Sequence, residues 1–160
     1  MLHLIPAPLH RAMLQAAHGL RVRWWRIRRP RVRGCRVLAF DSEERLLLVR
    51  HSYGSGAWMP PGGGLARGEC PMTGGIRELL EETGCMLHAA AEITQVIEEL
   101  HGAGNTVHIV AGRTFDEPRP DGREIVEACF FAIEALPDHM PPMLRAQLPH
   151  WLKAARADRP

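Results

Sequence analysis

Apolar and polar positions along the chain predict a mixture of strands and helices. Val37–Phe40 and Leu46–Val49 are apolar runs joined by the polar residues 41–44, and together they predict a β-hairpin with a polar turn. Later apolar segments, several with β-branched residues at alternate positions, predict strands at Met86–Ile93, Val96–Leu100, Thr106–Phe115 and Val126–Ile133. Strands surrounding a few helices indicate a mixed α/β domain.

Two segments carry the signals of helices. One helix begins at Pro71, which suits a first helical position, and ends before Gly84, which suits the position just past a helix. The Gly74–Gly75 pair weakens it, since each glycine costs about 1 kcal/mol relative to alanine; a close approach to a strand would account for the pair. The second helical segment, Met143–Ala157, is interrupted by Pro149. The first helix is expected to bury a face opposite its acids, made of Met72, Ile76, Leu79 or Leu80, and Thr83.

Length and composition describe an ordinary globular chain. Its 160 residues, 46% apolar and 24% charged, are enough for one domain with a real core. The net charge of +2 indicates nothing about partners, and it leaves a homodimer open. The four cysteines show no C-x-x-C pair and no metal-ligand spacing, so we expect reduced thiols. No apolar run approaches 18 residues and no signal peptide is recognisable, which predicts a cytoplasmic protein with no membrane partner.

Charge sets the N-terminal part of the chain apart. Residues 1–30 are expected to form a basic arm, with a short helix around Leu9–Ala17, in front of a domain at residues 31–160. Arg21–Arg36 holds eight arginines and no acid. The arm could grip phosphates while bases stack on its two adjacent tryptophans, or it could pack onto the sheet as an extra strand. We favour packing, because burying each of its apolar side chains contributes about 1.5–3 kcal/mol.

Three carboxylates form the most informative local cluster. Glu78, Glu81 and Glu82 are spaced i, i+3 and i+4, which on a helix puts them within roughly 100° of arc. Like charges at this spacing repel each other, and a bound cation would relieve that repulsion. Mg²⁺ takes oxygen ligands and usually keeps waters and substrate phosphates in the remaining positions. The preceding turn, Gly62–Gly64, permits close approach of the backbone to such an ion because glycine has no Cβ.

The stretch around this cluster resembles the Nudix box, G-x5-E-x7-R-E-U-x-E-E-x-G-U, where U is a bulky apolar residue. Leu79 occupies the first U position and Cys85, a less typical residue, occupies the second. The resemblance is strong in the box, covers roughly residues 34–137 in general layout and is absent from the N-terminal arm. All seven fixed positions are matched: Gly63, Glu69, Arg77, Glu78, Glu81, Glu82 and Gly84.

The resemblance implies a MutT-like fold, an α/β/α sandwich with a mixed β-sheet, and a catalytic centre that uses Mg²⁺ or Mn²⁺. By resemblance, the three helix glutamates and the Gly62 carbonyl oxygen are metal ligands. Arg77 orients a box carboxylate, with Glu78 its best partner. Gly63 and Glu69 then support the loop, Glu69 either directly or by reaching a metal through water.

Residues outside the box complete the predicted site. Family members often carry a further glutamate near the metals or the attacking water, and Glu124 aligns with it better than Glu127. Residues before the box often contact the base or sugar of the substrate, which makes His51, Tyr53 and Trp58 candidates for substrate binding, with Glu127 beside them. A core or surface role is an equally good interpretation of each.

The predicted function is hydrolysis of a pyrophosphate bond in a nucleoside diphosphate linked to another moiety, such as a nucleoside triphosphate. Markers of more specialised Nudix subfamilies are missing, which favours a general nucleotide as the small-molecule substrate. Two alternatives stay open. One is a pyrophosphohydrolase acting on RNA 5′ ends, which the basic arm would help, although RNA is the less favoured partner. The other is a non-catalytic Nudix module that binds a nucleotide or RNA, against which the intact acidic set argues.

Overall fold

The computed structural model describes residues 13, 16–17, 32–100, 103–120 and 122–157. Most of the basic arm, including the helix predicted around Leu9–Ala17, lies outside these residues, and what the sequence indicates for it stays a prediction. Within the described ranges the strands are β1 at Val32–Phe40, β2 at Leu46–His51, β3 at His88–Leu100, β4 at Ala103–Arg113 and β5 at Ile125–Phe131. The helices are α1 at Pro71–Thr83 and α2 at Pro142–Ala157, with a 3-10 turn at Ile133–Ala135.

The five strands form one mixed sheet in the order β3-β4-β1-β2-β5. β1 and β4 are parallel, and the other neighbouring strands are antiparallel. The hairpin predicted from the first two apolar runs is confirmed, with Phe40 opposite Leu46. Asp41 closes its turn by accepting hydrogen bonds from the backbone N–H groups of Glu43 at 2.9 Å and Arg45 at 2.8 Å.

Each face of the sheet packs against one helix, because alternate residues of a strand point to opposite faces. The face under α2 carries the larger apolar cluster, whose buried members include Leu38, Leu48, Ile109, Leu148 and Trp151. The face under α1 carries a smaller one, whose buried members include Val37, Leu47, Leu79, Cys85 and Val110. The result is the predicted three-layer α/β/α sandwich.

Helix α1 begins and ends where the sequence predicts. Pro71 is its first residue, and Gly84 follows its end in the left-handed conformation, φ 72°, with its N–H donated to the Leu80 carbonyl oxygen at 2.9 Å. One glycine of the pair, Gly75, has the expected reason, whereas Gly74 faces the loop residue Leu65. A Cβ on Gly75 would lie 3.2 Å from Val37 Cγ2, so this turn of the helix rests almost directly on the sheet.

The buried face of α1 differs from the predicted one. Leu79 and Thr83 are fully buried, but Met72 is 39% exposed and Leu80 is 44% exposed. The acids are not all opposite the core, since Glu82 is only 7% exposed. The buried face of α1 therefore includes Gly74, Gly75 and Glu82. Its backbone contacts the sheet closely there, and Glu82 points inward.

Two other predictions about secondary structure were wrong. The strands expected at Met86–Ile93 and Val96–Leu100 are one continuous strand, β3, whose register to β4 shifts twice along its length. The second helix runs through Pro149 without interruption. Its apolar stripe, which includes Leu144 and Leu152, is buried on both sides of the proline and outweighs the lost backbone hydrogen bond. Among the described residues, neither helix has the length and apolar character needed to span a bilayer.

Candidate active site

The candidate site lies where the sheet splits between β1 and β2. These strands pair only next to their turn, and the segment before α1 takes the vacant place beside β1. Cys35 N–H donates to the Gly63 carbonyl oxygen at 2.9 Å, Val37 N–H to Pro61 at 2.8 Å, and Leu65 N–H to Arg33 at 3.0 Å. The glycine-rich loop is thereby fixed along a central strand, directly below the acidic turn of α1.

Glycine is required at position 62 by this close contact. A Cβ on Gly62 would lie 2.2 Å from the Cys35 carbonyl oxygen, and φ is 150°. The Gly62 N–H donates to Glu82 Oε2 at 3.0 Å, which accounts for the inward direction of the buried Glu82 carboxylate. The loop and the helix thus hold each other in place through one hydrogen bond to a charged group, a strong type.

Arg77 sits at the centre of three box carboxylates. Its guanidinium donates to Glu69 at 3.0 Å, to Glu78 at 2.8 Å and to Glu81 at 3.1 Å, and it also reaches the Gly64 carbonyl oxygen at 3.2 Å. The pairing with Glu78 matches the partner proposed from the sequence. A planar guanidinium can bind several acceptors at fixed angles, so Arg77 ties the start of α1 to the loop in front of it.

The pKa values of Glu69 and Glu78 shift in opposite directions although both carboxylates pair with Arg77. Hydrogen bonds from Arg77 and from the Ala66 backbone N–H (2.7 Å) lower the pKa of Glu69. Burial raises the pKa of Glu78, and the nearby Arg77 offsets only part of that effect. Glu81 and Glu124 add to the increase through like-charge repulsion. Glu78 is therefore a carboxylate whose charge the metal-free protein accommodates poorly.

The carboxylates of two distant segments meet in one cleft of about 900 Å³. Its walls include the glycine loop 62–64 and Tyr53. Its acidic members come from α1 and from the residue before β5: Glu78, Glu81, Glu82 and Glu124. The sequence-based expectation that the three helix acids open onto the Gly62 turn agrees with this arrangement, while their catalytic roles stay predictions.

Two of the candidates outside the box lie beside the acids. One imidazole nitrogen of His51 and one carboxylate oxygen each of Glu82 and Glu124 lie within 4.8 Å of one another. The Tyr53 hydroxyl donates to Glu124 Oε1 at 2.7 Å, and its ring lies 5.1 Å from the His51 ring. Glu124, chosen over Glu127 from spacing, is thus the one that faces the cleft.

The other two candidates lie elsewhere. Glu127 is 50% exposed at its side chain and pairs with Arg50 at 3.1 Å, outside the cleft. Trp58 packs edge-on against Phe131, with ring centroids 4.9 Å apart, and belongs to the apolar cluster under α2. Neither lines the cleft, because alternation along β5 directs Glu127 away from the acids and the Trp58 ring fills a gap in the core.

Sequence reasoning named Arg33 and Arg36 only among the eight arginines that could grip phosphates, and it missed Asn105 as part of the cleft. Arg33, Arg36 and Asn105 line the wall opposite the acids, from adjacent parallel strands. Arg36 forms a two-point ion pair with Glu98, at 2.5 and 3.0 Å. Asn105 is 8% exposed, and its side-chain amide makes no hydrogen bond to any described residue. These residues are brought together by the parallel pairing of β1 with β4, and no local sequence pattern predicts that pairing.

The donor set fits a hard divalent ion. Four carboxylates line the cleft, an imidazole nitrogen of His51 lies within 4.8 Å of oxygens of two of them, and one carboxylate, Glu82, is buried with its direction fixed by Gly62. Carboxylate oxygens are the ligands that Mg²⁺ and Mn²⁺ prefer. A concentration of negative charge around a half-buried Glu78 is also what a cation would relieve.

Comparison with known proteins agrees with the fold and the box. The family model described as the NUDIX domain matches residues 30–154. The chain belongs to the Nudix family. No curated protein sequence matches it. As a Nudix pyrophosphohydrolase, the protein hydrolyses a pyrophosphate bond.

Solved structures with the same fold are distant in sequence. A MutT protein from Methanosarcina mazei Go1 matches with a TM-score of 0.70 and 21% identity, over 82% of this chain and 99% of that one. A MutT Nudix hydrolase from Burkholderia pseudomallei matches with a TM-score of 0.65 and 24% identity, over 74% and 96%. A UDP-X diphosphatase matches with a TM-score of 0.63 and 23% identity, over 81% of this chain and 64% of its own. These likenesses describe the fold of the Nudix domain.

Proposed function

We propose that this Nudix hydrolase cleaves the pyrophosphate bond of a nucleoside diphosphate linked to another group, such as a nucleoside triphosphate, with Mg²⁺ or Mn²⁺ as cofactor. The observation that carries the proposal is the meeting of helix α1 acids with Glu124 in one cleft beside a glycine-rich loop. A polyphosphate is strongly anionic, so a purely acidic cleft would repel it. A cation held by these acids turns the repulsion into attraction, because it binds carboxylate and phosphate oxygens together.

The ligands we assign are Glu78, Glu81, Glu82 and the Gly62 carbonyl oxygen. A divalent ion held there would neutralise charge developing on the phosphate oxygens and lower the pKa of a bound water. The protein's own contribution is to fix the ligands. Gly62 N–H directs Glu82, and Arg77 holds Glu78 and Glu81 against the loop.

Glu124 is assigned to the attacking water or to a metal, from the side opposite α1. Its carboxylate is oriented by the Tyr53 hydroxyl at 2.7 Å, and its carbonyl oxygen accepts a hydrogen bond from Ser52 N–H at 2.8 Å. A carboxylate fixed at both its side chain and its backbone holds a water in one position, which is what an in-line attack on phosphorus requires.

The wall opposite the acids suits the rest of the substrate. Arg33 offers positive charge to further phosphates, whereas Arg36 is already paired with Glu98, and the side-chain amide of Asn105 offers both a donor and an acceptor. An amide of this kind matches the edge of a nucleobase. The volume of about 900 Å³ admits a nucleotide, so a nucleoside triphosphate or a nucleotide sugar is the substrate class that the cleft favours.

A hydrolysis screen tests the proposal. The purified protein, with Mg²⁺ or Mn²⁺, would be incubated with nucleoside triphosphates, nucleotide sugars, dinucleotides and 5′-triphosphorylated RNA, and the products separated by anion-exchange chromatography. We expect nucleoside monophosphate from one of the small substrates, and at least about 10²-fold less of it per unit time from a Glu82→Gln preparation purified in parallel. Turnover of RNA alone would replace the proposal with the RNA alternative. Nucleotide binding without turnover of any substrate would contradict catalysis altogether.

A further inference from the structure

His51 lies beside two carboxylates from different parts of the chain. One of its imidazole nitrogens and one oxygen each of Glu82 and Glu124 lie within 4.8 Å of one another. Ligand atoms about 2.1 Å from an octahedral ion are about 3 Å apart when adjacent and about 4.2 Å apart when opposite. Separations of up to 4.8 Å are slightly wider than a single coordination shell, so the three donors can share one ion once their side chains rotate toward it.

The backbone departs from regular pairing where His51 enters this cluster. Strands β2 and β5 stay in register as far as Arg50, and then the register shifts by one residue, so that His51 lies opposite Ile125. Such bulges next to active sites redirect a side chain. Immediately after the shift, Ser52 N–H donates to the Glu124 carbonyl oxygen at 2.8 Å. The bulge thus places the imidazole next to the Glu124 carboxylate, which lines the cleft.

Tyr53 then connects the two groups. Its hydroxyl donates to Glu124 Oε1 at 2.7 Å, and its ring packs against the His51 ring at 5.1 Å with a tilt of 40°. Glu82 approaches from the other side, buried and directed by Gly62 N–H. Glu82 and Glu124 are therefore each oriented by a hydrogen bond, from Gly62 N–H and from the Tyr53 hydroxyl, and the His51 ring packs against Tyr53.

An imidazole changes which ion such a site prefers. Carboxylates and water suit both Mg²⁺ and Mn²⁺, whereas imidazole nitrogen suits transition ions and is a poor ligand for the hard Mg²⁺, so a mixed set of carboxylates and imidazole favours Mn²⁺ of the two. We propose that His51 is a direct ligand of a divalent ion shared with Glu82 and Glu124, and that this site selects a transition ion such as Mn²⁺ over Mg²⁺. This rests on the proposed function, since it specifies the ion at the same catalytic centre.

The first test observes the nitrogen directly and needs no turnover. Electron spin echo envelope modulation of Mn²⁺ bound to the full-length protein should show coupling to a histidine nitrogen. His51→Gln should abolish that coupling. His150→Gln, which removes an exposed histidine on α2, should retain it. Mn²⁺ bound to the wild type without nitrogen coupling would overturn the proposal, as would coupling that survives His51→Gln.

The second test measures selectivity. Calorimetric titration should show Mn²⁺ affinity reduced about tenfold or more in His51→Gln, with Mg²⁺ affinity changed much less. The ratio of kcat/KM with Mn²⁺ to that with Mg²⁺ should fall in parallel. An equal loss with both ions would indicate that His51 acts on substrate or water, and it would overturn the ligand assignment.

The two proposals fail in distinguishable ways. A wild type that hydrolyses a nucleotide and binds Mn²⁺ without nitrogen coupling keeps the proposed function and loses the His51 ligand. A wild type that binds neither Mn²⁺ nor Mg²⁺ at millimolar concentration, and hydrolyses nothing, contradicts both. Circular dichroism of His51→Gln, compared with His150→Gln, verifies that the changes do not come from unfolding.

Discussion

The two faces of the sheet are built for different purposes. The α2 face is a continuous apolar layer, in which Leu148 and Trp151 are 1% and 3% exposed. The α1 face has a smaller apolar cluster, and the helix above it carries two buried glycines and the buried Glu82. Glycines lower helix stability, and a buried carboxylate is unfavourable unless it is well partnered. The face that carries the chemistry therefore depends for its stability on the face that does not.

This contrast teaches how a small Nudix domain accommodates a concentrated acidic site. Burial on the α2 face supplies the hydrophobic stabilisation, roughly proportional to apolar area. This stabilisation offsets the cost of the half-buried Glu78 carboxylate. Burial raises the pKa of that group. Substitutions on the two faces should separate accordingly: those under α2 should change stability more than activity, and those around α1 should do the reverse.

The largest effect on stability is expected under α2. Leu148→Ala should lower the free energy of unfolding by about 2–5 kcal/mol, because the side chain is 1% exposed and its removal leaves a cavity in the apolar cluster. Chemical denaturation monitored by tryptophan fluorescence measures it. kcat at a temperature well below the melting transition should stay near the wild-type value.

A matched control lies on the same helix. Met143 is 70% exposed, so Met143→Ala should change stability by no more than about 0.5 kcal/mol. If Leu148→Ala and Met143→Ala unfold at the same denaturant concentration, apolar burial on the α2 face does not contribute to the free energy of unfolding as we assign.

The largest effect on activity is expected around α1. Glu82→Gln should lower kcat by at least about 10²-fold, since a lost metal ligand weakens stabilisation of charge in the transition state. Its melting temperature in EDTA should change little, because a glutamine oxygen can still accept from Gly62 N–H. Steady-state assays and thermal melts on the same preparation separate the two quantities.

Position 127 supplies the control for this substitution. Glu127→Gln removes a carboxylate of equal charge from an exposed ion pair with Arg50, outside the cleft, and should leave kcat near wild type. The kcat of Glu124→Gln should lie between those of Glu82→Gln and Glu127→Gln. Equal activity of Glu82→Gln and Glu127→Gln would remove Glu82 from the ligand set.

Local signals made the framework of this molecule predictable. Pro71 and Gly84 delimit α1 by their own backbone preferences, and the seven box residues lie within one short stretch, so both could be read directly. Tyr53 and Glu124, by contrast, are 71 residues apart and meet only through the pairing of β2 with β5. The opposite wall at Asn105 similarly depends on the parallel pairing of β1 with β4.

The wrong predictions share the same physical origin. The sequence predicts two strands where there is one, because the register shift between Glu92 and Thr94 breaks the alternation that local pattern reading requires. Met72 was assigned to the core because it is apolar and correctly spaced. Its helix instead turns its glycines and Glu82 inward, a choice made by contacts with the sheet and the loop.

A smaller effect distinguishes the two glycines of α1. Gly75→Ala should lower the free energy of unfolding by about 1 kcal/mol: overpacking against Val37 and Val110 costs about 1–3 kcal/mol, and improved helix propensity returns about 1 kcal/mol. Gly74→Ala should be neutral or stabilising, because its Cβ meets the end of the half-exposed Leu65 side chain, which can swing aside. Equilibrium denaturation of both variants decides the matter. Greater destabilisation by Gly74→Ala would show that Leu65 is the rigid partner.

The smallest expected effect is a pH dependence at Glu78. Because burial raises its pKa, the folded protein binds a proton here more readily than the unfolded chain does. Between the unfolded and folded pKa values the stability of the metal-free protein therefore decreases as pH rises, and above the folded pKa the full unfavourable contribution remains. Glu78→Gln removes it, so in EDTA the variant should be more stable than the wild type at neutral pH. That difference should shrink on acidification through the raised pKa.

Denaturation of both proteins in EDTA across a pH series measures this difference in stability. A Glu78→Gln variant that is less stable than the wild type at neutral pH in EDTA would mean that the Arg77 pairing outweighs burial, and that the acidic face stabilises the fold even without a cation.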